Sequence, residues 1–447
     1  MSDRRTFLKA MTAAGVLAAQ TRRAAASDRV RLGMIGAGLI GTRHLIDAAG
    51  LPDVEIAAIA DVSPSRVNAA IARVTTGTPA AVSDFRRLLD RKDIDAIVVS
   101  TPDHWHALMT IMACAAGKDV YVEKPLTHVV REGDWMIAAA NRHKRIVQVG
   151  TQQRSGKHYQ AAAELLRKGH IGTICAAHVR STRNITPGFT HALDEPPLSP
   201  DAWDMWLGPA PMVPFDARRA LYHFRWFWDY SGGQTTNLLA HDIDIVQWIT
   251  GAVPTKVAAF GQRRSLEGFG ETPDVFETIY TYPGFLATWS SAEVSAGRWR
   301  GLEICGTKGS LTIDRRGFDI TPDKAIPADS QIPRYSFSSA PEPPADDRTE
   351  AMKDTGYEQV RDQFVPHMRA FIDAIKSRQQ PISDLASAHK TAIACHLANI
   401  SLRVGRVVTW DDASQQIVGD ADASRLLTKT YRSPWDRELR AIVPDAS

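Results

Sequence analysis

Three glycines are the first residues whose type and spacing could do chemistry. Gly36-Ala37-Gly38-Leu39-Ile40-Gly41 has the pattern G-x-G-x-x-G and follows the apolar run Val30 to Ile35. Between a strand and a helix this spacing suits a dinucleotide. The first glycine makes a tight turn, the second lets backbone approach a pyrophosphate, and the third lets helix and strand pack closely. The N–H groups at the helix start, around Leu39 and Ile40, are free for the phosphates. A second apolar run, Glu55 to Ala60, ends at Asp61, 25 residues after Gly36. A carboxylate there accepts hydrogen bonds from a ribose diol and repels a 2′-phosphate. NAD is therefore the expected cofactor, and Arg66 nearby keeps NADP possible.

A second set lies further along the chain. Asn237 and His241 stand four apart in a helix expected from about 235 to 250, which places them on one face. His241 can shuttle a proton, and Asn237 can donate to and accept from hydroxyls. The tract before this helix holds Trp203, Trp206, Tyr222, Phe224, Trp226, Phe227, Trp228 and Tyr230. Flat rings stack on the apolar faces of sugars, so substrate contact is expected at Tyr222, Arg225, Trp226 and Tyr230. The plainer reading is an aromatic core under a long loop. His104-Trp105-His106 offers two imidazoles, but the spacing and the lack of a carboxylate or cysteine set point to no metal.

These residues need a scaffold. Further buried strands are expected at 96–100, 119–122 and 146–149, with helices at 106–116 and 131–143 between them. That alternation predicts an α/β domain, residues 29–150, with a doubly wound parallel Rossmann sheet that binds NAD. From about residue 151 the pattern changes to strands at 174–183, 256–263, 275–282, 286–293, 302–305 and 310–314. They predict a C-terminal α+β domain, 151–410, with an open, mostly antiparallel sheet for substrate and oligomerisation. A Pro/Ser/Ala-rich loop is expected at about 323–347, returning helices at 365–405, and a C-terminal tail at 411–447 that docks or forms a dimer arm.

The strand ending Tyr121-Val122-Glu123-Lys124-Pro125 carries a resemblance. With Thr101-Pro102 and His106 (T-P-x-x-x-H), the glycine motif, Asp61, and Gly232-Gly233 before His241 and Asp244, the chain resembles the Gfo/Idh/MocA oxidoreductases over about 29–410. The resemblance implies a hydride transfer between a carbinol and a nicotinamide. It places Lys124 at both, adds Ser100, Thr101, Pro102, His106 and Glu123 to the cofactor site, and makes Lys124 and His241 the acid/base candidates. It brings Gln152 and Arg154 to the cleft and allows a cis bond before Pro125. The family commonly has Asp where this chain has Asn237. Asp244 is expected to be structural. Sheets of this kind often pack face to face, so a homo-oligomer, a dimer or tetramer, is expected.

The charge sharpens the reading. The chain has 447 residues and a net charge of +3. Residues 1–26 carry +4 of it, with Arg4-Arg5, an alanine-rich apolar run too short to span a membrane, and Ala24-Ala25-Ala26. This resembles a twin-arginine (Tat) export signal, which predicts a periplasmic or secreted protein with no membrane span once mature. The remaining −1 argues against a nucleic-acid partner. Cys114, Cys175, Cys305 and Cys395 are far apart and suggest no disulfide framework. Exported chains fold before transport, so a tightly held NAD and a closed redox cycle are expected. The substrate is then a sugar or a glycoside. Simple or paired dehydrogenation leads, redox-assisted glycosidic cleavage follows, and a catalytically silent NAD-bound sugar-binding protein is the remaining class.

Overall fold

The structure, a computed structural model, describes residues 29–184, 197–264, 270–297, 300–323, 352–354 and 363–446, with the side chains of 221, 222 and 352–354 outside the described set. The export segment and most of the 323–347 loop lie outside the described residues.

Strands β1 (Val30–Ile35), β2 (Val54–Ala60), β3 (Ala80–Val82), β4 (Ala96–Val99), β5 (Asp119–Val122) and β6 (Val147–Val149) form a parallel sheet in the order β3-β2-β1-β4-β5-β6. Their sequences are continuous apolar runs because helices cover both faces: every residue of β4 is fully buried. One face packs Leu32, Met34 and Val98 with Met368, Phe371 and Ile372 from the returning helix Phe364–Ser377. The other packs Val99 and Val122 with Trp105, Trp135 and the tail residues Tyr431, Trp435 and Leu439. The tail is therefore a strap on its own chain's first domain. Its Trp435 ring meets Trp105 edge-on at 4.8 Å, and Tyr431 Oη donates to Glu132 at 2.7 Å.

The second domain is a ten-stranded sheet made of β7 (Ile174–Thr182), β8 (Lys256–Gln262), β9 (Val275–Tyr282), β10 (Phe285–Ala292), β11 (Gly301–Gly306), β12 (Gly309–Asp314), β13 (Gly317–Pro322), β14 (Met352–Asp354), β15 (Val408–Asp411) and β16 (Gln416–Ile417). All pairs are antiparallel except β7 with β10. Alternation sets the two faces. In β9, Phe276, Thr278, Tyr280 and Tyr282 point into the core, while Ile279 points out. Helices Lys157–Arg167, Ala240–Thr250 and Leu385–Val404 cover the inner face.

One element differs from expectation. The run from Thr235 to Thr250 is a π turn over Thr235–Leu239 followed by an α-helix over Ala240–Thr250. Gly233, at φ +67°, turns the chain into it, and Asn399 clamps that entry by donating to Gly232 O at 2.8 Å and accepting from Thr235 at 2.6 Å. The wider turn changes the phase between Asn237 and His241 and puts backbone groups out of the regular ladder, as π turns do at functional sites.

Candidate active site

The glycine loop forms one wall of a cavity of about 330 Å³ at the carboxyl ends of the parallel strands. Gly36, Gly38, Leu39, Ile40, Asp61, Ser100, Thr101 and Pro102 line it, as the sequence predicts, together with Arg66, Met205, Phe224 and Arg225. These residues fit NAD. A Cβ on Gly36 would lie 2.6 Å from Ser100 O, so the turn requires glycine there. The helix Leu39–Ala49 starts with no side-chain cap and no acidic residue in its first turn, which leaves its N–H groups to an anion. Asp61 accepts from Ala37 N at 2.7 Å and Ser63 N at 2.9 Å, and its carboxylate lines the cavity at the strand end where a ribose diol would donate to it.

Four cofactor candidates do not line this cavity: Gly41, His106, Glu123 and Lys124. Gly41 serves packing: a Cβ would sit 1.9 Å from Gly36 O. His106 is buried with its ring nitrogens against Pro125 O at 2.6 Å and Thr101 O at 2.8 Å, and it joins the two loops from below. His104 is turned to Trp206 O at 3.1 Å instead. Among the described residues no group of three or more His, Cys, Asp or Glu could hold a metal.

Glu123 is also internal, and its partners explain it. His44 Nε2 lies 2.7 Å from its Oε1, Gln152 Nε2 donates to the same oxygen at 2.6 Å, and Lys124 N donates to Oε2 at 3.0 Å. Burial would raise the carboxyl, but the His44 hydrogen bond and the charges around it outweigh that and hold it below its usual range. Glu123 thus fixes the backbone from which Lys124 projects, next to the cis Lys124–Pro125 bond. Gln152 is corrected accordingly: its amide is spent on Glu123 and on Tyr121 Oη at 3.1 Å. His44 was missed in the sequence. The available signal was a histidine beside Leu45 and Ala48 on the helix's buried side.

Lys124 Nζ donates to Asn237 O at 2.9 Å and to Asn237 Oδ1 at 3.0 Å. Burial pushes its ammonium down to about 8, Glu123 pulls it up, and Arg225 and Arg315 push it down. His241 is half-buried, and burial, then the charges of Lys124 and Arg315, keep it neutral well below its usual range. A neutral imidazole beside a lysine with one N–H to spare is a proton acceptor next to an alkoxide stabiliser.

Several substrate candidates are corrected. Arg154 is 1% exposed and forks onto Asp244 at 2.8 and 2.6 Å, with Ser387 Oγ at 2.7 Å, so it ties the second domain together and faces no cleft. Asp244 is structural, as expected. Trp226 and Tyr230 are both 0% exposed, in a cluster with Trp203, Trp206, Phe224 and Phe227. The aromatic core is the reading that holds for them: Tyr230 meets Trp206 edge-on at 4.9 Å, and Trp226 is enclosed in the same cluster. Arg225 keeps its place at the cavity and beside Lys124. The Tyr222 side chain lies outside the described residues.

A six-stranded dinucleotide fold with a glycine-walled cavity, joined to an open-sheet domain through the Lys124–Asn237 contact, defines a two-domain nicotinamide-dependent oxidoreductase. Three family models match: the oxidoreductase-family NAD-binding Rossmann fold over 30–151, the GFO/IDH/MocA C-terminal domain over 212–312, and the oxidoreductase-family C-terminal alpha/beta domain over 357–437. The chain belongs to the Gfo/Idh/MocA oxidoreductase family, whose cofactor is NAD. It is 29% identical over 297 residues to the uncharacterized oxidoreductase YrbE of Bacillus subtilis, covering 64% of this chain and 74% of that one. It is 23% identical over 392 residues to a myo-inositol 2-dehydrogenase of Thermotoga maritima, covering 86% and 99%. A glycosyl hydrolase family 109 protein of Shewanella pealeana is 30% identical over 213 residues, which spans 40% of this chain and 47% of that one. Among solved structures, the aldose-aldose oxidoreductase from Caulobacter crescentus complexed with glycerol shares the fold, with a TM-score of 0.64 and 21% identity over 85% of this chain and 99% of that one.

Proposed function

We propose that this chain transfers hydride between a carbinol of a sugar or sugar derivative and NAD, with Lys124 and His241 at the reacting oxygen. The observation that carries this is the double hydrogen bond from Lys124 Nζ to Asn237, which aims the ammonium from the cofactor domain into the second domain. When bound, NAD supplies the hydride acceptor. Lys124 holds the carbinol oxygen as negative charge develops, and His241 takes the hydroxyl proton. The relatives named for inositol and aldoses support a polyol-like substrate. NADP stays open because Arg66 lines the same cavity as Asp61.

Export, periplasmic location and a tightly held cofactor belong to the same proposal and rest on the twin-arginine segment. A homo-oligomer rests on the open sheet face, where Phe260, Ile279 and Leu286 are exposed. Redox-assisted glycosidic cleavage is the second reading, favoured by the family 109 relative. Purified protein is assayed for co-purifying NAD, then offered free sugars, polyols and chromogenic glycosides without added cofactor. Absorbance of reduced nicotinamide with a free sugar or polyol supports dehydrogenation, and aglycone release supports cleavage. NAD binding with neither response favours a silent sugar-binding protein.

A further inference from the structure

Nothing in the sequence spacing pairs the four cysteines, but folding sorts them into two kinds. Cys114 and Cys395 sit in the cores of the first and second domains, at 0% and 1% exposure. Burial raises both thiols, which leaves them inert to oxidants. Cys175 on β7 is exposed and Cys305 on β11 is half-buried, and both are free thiols.

The sheet brings this second pair together across 130 positions of sequence. β7 and β11 are antiparallel neighbours. Ala177 stands opposite Ile304 and Ala176 opposite Cys305, but the next pair is Ile174 with Gly306. Cys175 is the extra residue of a bulge, so Cys175 and Ala176 both stand against Cys305. Burial shows which way they point. Ala177 and Ile304 are buried and Ile174 packs on the second-domain core, so these face inward. Ala176 pairs with Leu286 of β10, which is 51% exposed on the outer face. Strict alternation from Ala177 would turn Cys175 inward. The bulge turns it outward instead, onto the face that Cys305 shares. Cys175 Sγ lies 3.4 Å from Cys305 O. Residues opposite each other on antiparallel strands have Cα atoms about 4.5–5.5 Å apart, inside the range of about 4.4–6.8 Å that a disulfide spans.

We infer that Cys175 and Cys305 are a cross-strand thiol pair that closes to a disulfide when a small disulfide oxidant reaches the outer face of the sheet. The step balances. The Cys175 thiolate attacks one sulfur of the oxidant, a mixed disulfide forms, and one oxidant thiolate leaves. The Cys305 thiolate then attacks Cys175 Sγ, and the second oxidant thiolate leaves. The two cysteines give up two electrons and two protons, and the oxidant becomes two thiols. The order follows from the setting. Cys175 is exposed, whereas burial, then Glu303, Cys175 and Asp323, push the Cys305 thiol up to about 11. The loop so closed contains Arg225, Asn237 and His241, so the bond staples the frame that carries the second-domain side of the site. An exported chain meets such oxidants. That setting rests on the twin-arginine reading, whereas the chemistry belongs to the chain itself.

The test takes purified, reduced full-length protein, treats it with oxidised glutathione, and maps the thiols by mass spectrometry of a digest made without reductant. The expected product is a Cys175–Cys305 linked peptide from a monomeric chain, with Cys114 and Cys395 still free. Cys305→Ser is expected to stop with glutathione held on Cys175, and Cys175→Ser to form neither product. The oxidised wild type is expected to melt roughly 5 °C above the reduced form, a shift absent from both variants. Glutathione that stays on Cys175 in the wild type, a Cys175–Cys175 bond between two copies, or two unmodified thiols would overturn the inference. A linked peptide with no melting shift would overturn the stapling role. Neither readout uses NAD or turnover, so the outcome is independent of the functional reading of Lys124 and His241.

Discussion

Lys124 and Asn237 are joined twice, through the backbone oxygen of Asn237 at 2.9 Å and through its side-chain oxygen at 3.0 Å. The two residues come from different domains and are 113 positions apart. The bond to backbone is available because Asn237 sits in a π turn, where carbonyls leave the regular helical ladder. Two of the three ammonium hydrogens are therefore committed to orientation, and one remains for a substrate oxygen.

This arrangement sets a pH dependence. Lys124 stabilises an alkoxide only as an ammonium, and burial brings its pKa down to about 8. Oxidation of the substrate should fall as pH rises through about 8. Lys124→Arg, whose guanidinium stays charged, should lower kcat and remove that falling limb. The check is kcat against pH for both proteins.

Gly38 and Gly41 should separate binding from packing. A Cβ at Gly38 meets only the flexible end of Arg66, at 3.3 Å, so Gly38→Ala should fold normally and bind NAD at least about tenfold more weakly. At Gly41 the Cβ would strike Gly36 O, so Gly41→Ala should cost roughly 1–3 kcal/mol of stability as well. Calorimetric titration with NAD and thermal melts distinguish the two.

Arg154 should behave as a structural residue. Arg154→Ala leaves Asp244 buried and unpaired, which costs about 3–5 kcal/mol. Denaturant unfolding should show the loss, while KM in the folded fraction stays near the wild-type value.

Trp226 should follow the same rule. Trp226→Ala removes a fully buried ring and should destabilise by about 3–5 kcal/mol. A selective loss of sugar affinity with unchanged stability would return Trp226 to the substrate site.

Most of the cofactor side was legible because it depends on backbone. A glycine spacing, a strand-end carboxylate and a strand–helix alternation are local patterns, and Gly36, Asp61 and Thr101 all reach the cavity. The substrate side was harder to read because it depends on tertiary contacts. The aromatic tract from Trp203 to Tyr230 allowed either a sugar platform or a core, and only the packing decides for the core, while nothing near Arg154 announces Asp244, 90 positions away. The π turn escaped for a related reason: apolar periodicity describes a helical face without fixing the pitch. His44 acts through Glu123, 79 positions away, so only the fold brings its role into view.

The central claim is tested most directly by Lys124→Ala. The account predicts that the variant binds NAD with wild-type affinity by calorimetry yet forms no reduced nicotinamide with a sugar or polyol that the wild type oxidises. Turnover at the wild-type rate in Lys124→Ala would contradict it.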